Sequence, residues 1–231
     1  MVPVVIATRN RHKFRELTAL LALPGLHWLS LDDVPGAPSV KETGRTFDAN
    51  AIRKACAIAK ATGMLALADD SGLEVDALDG APGIRSARFA GRHGDHRANN
   101  DKLLRLLHGF PLTGRGARYR CSLALARPGV GKRRSGVGPS RLIALARGTW
   151  RGRIALQPKG RGGFGYDPIF LVPRFGKTVG ELPVAVKQRL SHRAIAARRM
   201  RHALRRVAAP SATGRRPASF AGGPRGRGRA A

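Results

Sequence analysis

Along the first seventy residues the apolar positions alternate between strand-like and helix-like spacing. Residues 2–8 form an unbroken apolar run, the pattern of a strand buried on both faces, and 12–22 then set Phe14, Leu17, Leu20 and Leu21 at helical spacing. Gly25 ends that helix, and 27–31 reads as a second strand. After a Pro- and Gly-containing loop at 34–45, Thr46 starts a long helix with Ile52, Ala55, Ile58 and Ala59 on one face, and Gly63 stops it. Residues 64–68 make a third apolar strand. It delivers Asp69-Asp70-Ser71-Gly72 at its carboxyl end, where open α/β sheets bind their ligands.

Farther on, 73–78 alternates like a strand, Gly80-Ala81-Pro82-Gly83 is a turn, and 95–108 is an amphipathic helix carrying Leu103, Leu104, Leu106 and Leu107. Strand character returns at 118–126, 142–146 and 151–156, with a Gly-, Arg- and Pro-rich connection at 127–141 expected to be a mobile loop. A glycine-rich stretch at 160–165 precedes a short strand at 168–172, and Ser191 opens a closing helix over 191–207. The pattern predicts an α/β domain over residues 1–209. Residues 210–231 have almost no apolar bulk and read as a disordered basic tail.

Charge is distributed unevenly over this plan. The chain holds 43 Lys+Arg against 14 Asp+Glu in 231 residues, but residues 1–101 are nearly neutral and only 2 of the acids lie beyond Asp101. One functional reading is an electrostatic surface for phosphates, either a nucleic acid backbone or a small nucleotide. The competing reading is compositional bias, because 34 of the 43 basic residues are Arg in a chain also rich in Ala, Gly and Pro. With 42% hydrophobic residues a fully disordered polycation is excluded. Two cysteines, Cys56 and Cys121, are too few for a disulfide framework and favour a reducing, cytoplasmic setting. No segment reads as a signal peptide or a membrane span.

Four local patterns carry candidate chemistry. Asp69 and Asp70 are adjacent carboxylates that need a cation or donors, and strand alternation turns them to opposite faces unless the strand is ending. One would then face a metal and the other a basic side chain or a helix N-terminus; the alternative is an Asp-rich hairpin turn. Thr8-Arg9-Asn10 at a strand-to-helix junction, with Lys13 in the first turn, suits a triphosphate or is simply a helix cap with a solvated Lys. Residues 160–165 satisfy G-x-G-x-x-G, yet Tyr166-Asp167-Pro168 cannot open the helix that a dinucleotide fold requires. That leaves a loop whose backbone can approach a ligand, or a plain turn. His93-Gly94-Asp95-His96 invites a metal-site reading, but a solvated loop accounts for it better.

Several segments together resemble the inosine triphosphate pyrophosphatase-like family. They are Val5-Ile6-Ala7-Thr8 with Asn10 and Lys13, Glu42-Thr43-Gly44 with Thr46-Phe47, Asn50-Ala51 with Lys54-Ala55, and Ala68-Asp69-Asp70-Ser71-Gly72-Leu73. Gly80 to Ile84 with Ser86-Ala87-Arg88, Gly162 to Phe170 and Ser191-His192-Arg193 complete a series in family order over roughly residues 3–205. The resemblance implies an elongated mixed central sheet in two lobes with flanking helices, the active site in the cleft between them, and a homodimer. It also implies Mg²⁺-dependent hydrolysis of ITP, dITP or XTP to the monophosphate and pyrophosphate, with Glu42 and Asp70 as metal carboxylates and Asp70 as the base. Thr8, Asn10, Lys13 and Lys54 would then face phosphates, with Ser71 beside the substrate, and Arg9 would either add a phosphate contact or clash with the closed site. Phe164, Gly165, Tyr166, Asp167, Lys187, His192 and Arg193 would form the purine pocket, with Arg193 and backbone N–H groups as donors to the 6-keto oxygen.

Four positions depart from the family pattern. Arg9 stands where Gly is usual, Arg161 where a smaller polar residue is usual, and Lys41 and Val186 where acids are common. An inactive family member and a basic nucleic-acid-binding protein are the alternatives, the latter resting on non-specific polyanion binding by the C-terminal half. Scarce aromatic residues among the basic ones argue against it.

Overall fold

The computed structural model describes residues 1–130 and 137–209. In chain order these form β1 (Val2–Ile6), α1 (Arg11–Leu20), β2 (Leu26–Leu29), α2 (Phe47–Thr62), β3 (Leu65–Val75) and α3 (His96–Leu106). There follow β4 (Gly116–Val130), β5 (Val137–Ile154), β6 (Phe170–Val172), β7 (Lys177–Thr178), α4 (Val184–Leu190) and α5 (His192–Ala208). One mixed sheet runs β2-β1-β3-β4-β5-β6-β7. Its β2-β1-β3 end is parallel, as strands joined by helical crossovers must be, and every pairing beyond β3 is antiparallel.

Strand parity decides which helix lies where. Val4, Ile6 and Leu67 face a cluster with Leu17 of α1 and Ala196, Met200 and Leu204 of α5, while Val5, Ala66 and Ala68 face Ala51, Ala55 and Ile58 of α2. A third cluster at the other end of the sheet gathers Leu73, Val75, Leu103, Tyr119, Trp150 and Phe170. These clusters make the two lobes of a mixed α/β sheet, with the cleft along β3. The helix starts follow the predicted caps: Asn10 accepts from the Lys13 N–H, Thr46 from Ala49 and Ser191 from Ala194. Gly63 closes α2 in the left-handed conformation.

Three expectations need correction. Asp69-Asp70-Ser71-Gly72 is not at a strand end and is not a hairpin turn, because β3 continues through it to Val75 and pairs with β4 at every residue. The expected loop at 127–141 is largely strand: β4 reaches Val130 and β5 starts at Val137, with residues 131–136 outside the described ones. Irregular register near Leu125–Ala126 and Arg127–Gly129 lets glycine and proline sit inside this ladder. The segments at 142–146 and 151–156 therefore belong to a single strand ending at Ile154. The expected tail, 210–231, lies outside the described residues, and α4 and β7 were not anticipated.

Candidate active site

Because β3 is extended through the acidic pair, Asp69 points toward α1 and α5, and Asp70 toward α2. Asp69 is fully buried. It takes Lys13 Nζ at 2.6 Å, the Nε–H of Arg193 at 3.2 Å, the Ser71 hydroxyl at 2.9 Å and the Cys121 thiol at 3.2 Å. Burial alone would raise its pKa, but Lys13 and Arg193 outweigh it and hold the carboxyl far below the usual range. The same carboxylate and burial push the Cys121 thiol up, so it stays protonated.

Asp70 has the opposite balance. Lys54 Nζ lies 3.1 Å from its Oδ1, 2.7 Å from Glu42 Oε1 and 2.7 Å from the Asp69 carbonyl, but the buried Asp70 Oδ2 has no partner. Burial and the Glu42 charge raise the Asp70 pKa against the pull of Lys54. Lys54 is held charged by the same two carboxylates despite its own burial. An unpaired buried carboxylate oxygen is costly unless a cation or water completes it. Two hard oxygen donors side by side, one of them orphaned, fit a divalent metal ion.

At the other end of the cleft, loop 160–167 folds back on Asp167. Its carboxylate accepts from the Tyr119 hydroxyl at 3.0 Å, from the Phe164 N–H at 2.8 Å and from Lys187 at 2.7 Å. Gly163 is glycine for a steric reason: its φ is +76°, and a Cβ there would fall 2.0 Å from Asp167 Oδ2. Gly72 answers to a similar limit, since a Cβ would come within 2.4 Å of the Ser86 hydroxyl that holds the Leu73 N–H.

The Phe164 ring stacks on His12 at 5.2 Å and has Lys187 Nζ 4.5 Å and the Arg193 guanidinium 5.2 Å from its centroid. His192 stacks on Tyr119 at 4.6 Å, its Nδ1 buried without a partner. Burial and the Arg193 charge keep its pKa well below the usual value, so the ring is neutral.

Thr8, Arg9, Asn10, Lys13 and Lys54 line one cavity of ≈ 740 Å³ with Glu42, Asp69, Asp70 and Ser71. Phe164 to Asp167, Lys187, His192 and Arg193 line a smaller one of ≈ 90 Å³, and Asn10, Lys13 and Ser71 belong to both. All the candidate residues thus meet in one continuous cleft. A further hollow of ≈ 470 Å³ between Arg45, Asp48, Glu74 and Arg85 contains none of them.

Three details differ from the expected roles. Arg193 is tied up by Asp69, Glu16 and Ser71, leaving two of its five N–H donors for a ligand. Arg9 reaches away from the floor, donating to the Ala37 carbonyl at 3.3 Å with Asp32 at 3.7 Å. Glu16 was not anticipated, yet it accepts from Lys187 at 2.5 Å and Arg193 at 2.9 Å. Asn10, Lys13 and Glu16 recur every three residues on one face of α1, a signal that would have found it.

A mixed α/β sheet whose cleft sets a buried and a half-buried lysine beside carboxylates at one end, and an aromatic slot at the other, defines a protein built for a charged, partly planar ligand. The chain belongs to the Ham1 family, whose model matches residues 4–203. It is 48% identical over 204 residues to the dITP/XTP pyrophosphatase of Desulforamulus reducens, covering 88% of this chain and 96% of that one. It is 47% identical over 193 residues to the dITP/XTP pyrophosphatase of Geobacter sulfurreducens, covering 84% and 92%. The solved structure of a HAM1 protein from Coxiella burnetii superposes with a TM-score of 0.75 at 36% identity, covering 89% of this chain and all of that one.

Proposed function

We propose that this protein hydrolyses deaminated purine nucleoside triphosphates, ITP, dITP and XTP, to the monophosphate and pyrophosphate, with Mg²⁺ as cofactor. The observation that carries the reading is Asp70, a residue with an orphaned buried carboxylate oxygen, in the lining of a lysine-bearing cavity that adjoins an aromatic slot. The names of the Ham1 relatives, dITP/XTP pyrophosphatases, support dITP and XTP among these substrates. The triphosphate lies against Lys13 and Lys54, whose charges are held in place by Asp69, Asp70 and Glu42 before substrate arrives. Glu42 and Asp70 hold the Mg²⁺, which when bound neutralises phosphate oxygens.

Asp70, whose Oδ1 already takes Lys54, acts as the base that accepts the proton of the attacking water. The water oxygen bonds to phosphorus as the bond between the α- and β-phosphates breaks, and pyrophosphate leaves. At the base end, a purine takes a face of Phe164 by displacing His12 from it, and Asp167 orders the loop. With most of Arg193 committed, the donors to a 6-keto oxygen are its two remaining N–H groups and the loop backbone. The working unit is residues 1–209 as a cytoplasmic homodimer, with 210–231 a basic appendage that adds non-specific polyanion binding. Among the described residues no helix is long and apolar enough to cross a membrane.

Pyrophosphate release should be measured across ITP, XTP, dITP, GTP and ATP with Mg²⁺ and again with EDTA. Release from the first three, lost in EDTA, is the expected result. No release from any of them, beside a working control enzyme, would end this reading.

A further inference from the structure

The two cavities of the cleft share five lining residues: Asn10, Lys13, Ser71, Ala87 and His96. On the function proposed above, a nucleotide with its base beside Phe164 and its phosphates against Lys13 and Lys54 has its sugar between them. These five residues line that position. Four are already accounted for. Asn10 caps α1, Lys13 pairs with Asp69, Ser71 bridges Asp69 and Arg193, and Ala87 is apolar.

His96 differs from the other four. It is half-buried at the start of α3, and its ring makes no hydrogen bond among the described residues. The preceding Asp95 spends its carboxylate on capping α3, accepting from the Ala98 N–H at 3.0 Å. The His96 ring lies 6.3 Å from Phe164, tilted by 47°, at the edge of the slot. Burial and the nearby His12 lower its pKa, with His93 adding to this and Asp167 and Asp95 opposing. A neutral imidazole is a poor counter-ion for phosphate, but it offers one donor and one acceptor, the pairing that a hydroxyl satisfies.

We propose that His96 is a substrate-binding residue that hydrogen-bonds the 3′-hydroxyl of the bound nucleotide, the sugar hydroxyl that ITP, dITP and XTP share. The His93-Gly94-Asp95-His96 segment then serves to carry this one side chain to the joint of the cleft.

Steady-state pyrophosphate release should be compared for wild type, His96→Ala and His96→Gln on ITP and on its 2′,3′-dideoxy analogue, using the full chain with Mg²⁺. His96→Ala should raise KM for ITP by about three- to tenfold with kcat within about twofold, the size of one lost hydrogen bond. The dideoxy analogue should show no such shift, and His96→Gln should recover part of the loss. Equal KM shifts on both substrates, or none on ITP, would overturn the proposal. His96→Gln also carries the test should the Ala variant fail to fold. An inactive wild type would instead refute the function on which the proposal rests.

Discussion

The two faces of β3 treat identical side chains in opposite ways. On the α1 and α5 face, Asp69 is surrounded by Lys13, Arg193, Ser71 and Cys121, and both its oxygens are occupied. On the α2 face, one residue away, Asp70 shares Lys54 with Glu42 and keeps an oxygen unpaired. A completed carboxylate holds other groups in place and has nothing left to give a substrate. An incomplete one carries an energetic cost that a metal ion, a water or a proton can relieve. On the function proposed, the difference gives the Asp69 carboxylate a structural role and leaves the Asp70 carboxylate able to take part in the chemistry.

The largest effect should come from removing the incomplete partner. Asp70→Asn should lower kcat by about a thousandfold, the scale of a lost general base, while its cost in stability should be smaller than that of Asp69→Asn because Glu42 still pairs Lys54. Retention of more than about a tenth of wild-type kcat would break the division between the faces.

Asp69→Asn should fail in the reverse sense. It leaves Lys13 and Arg193 facing a neutral group in the interior, and removing one member of a buried ion pair costs about 3–5 kcal/mol. Urea unfolding of the two variants side by side gives the comparison. A midpoint for Asp69→Asn within error of wild type would mean that its partners re-pair with Glu16 alone.

Much of this contrast is written locally in the chain. The apolar parity of β1 and β3, the caps at Asn10, Thr46 and Ser191, and the stop at Gly63 all follow from nearest-neighbour chemistry, and they place α1, α2 and α5. Continuity of β3 does not. A Ser-Gly pair reads as a turn until one knows that β4 supplies a partner for every residue from Ala66 to Val75, and that Gly72 is needed for Ser86 to approach. The long β4–β5 ladder was hidden for the same reason, its Gly and Pro tolerated by irregular register. Tyr119, which fixes Asp167 and backs His192, comes to the site through antiparallel pairing with Leu73 and has no sequence-local mark.

A smaller effect belongs to the completed face. His192 lies stacked on Tyr119 with its folded pKa well below the ordinary 6.5. Below pH about 6.5 the unfolded chain takes up a proton that the folded one refuses, so stability must fall with falling pH. Between about pH 7.5 and 5.5 the loss from one such imidazole should be at most about 1.4 kcal/mol. Asp69 and Glu16, both held below the usual carboxylate range, stay charged over that interval and add nothing to the slope. His192→Gln should reduce the slope, leaving the part of the same sign that His96 adds, and an unchanged slope would assign it to other groups.

The smallest effect should be at the rim, where Arg9 stands over the larger cavity. Its ion pair with Asp32 is 3.7 Å long with both side chains 58% exposed, so Arg9→Gly should change stability by less than about 0.5 kcal/mol. Its charge acts on a triphosphate at longer range, across solvent that salt screens, whereas Lys13 and Lys54 act from inside the protein. The kcat/KM of wild type should therefore exceed that of Arg9→Gly by about two- to threefold at low ionic strength, and the two should converge near 1 M salt. The half-buried Lys13 and buried Lys54, matched by fixed carboxylates, should retain their contribution across the same range. Parallel salt profiles for wild type and Arg9→Gly would take the guanidinium out of the path of the substrate and leave the phosphate end to these two lysines alone.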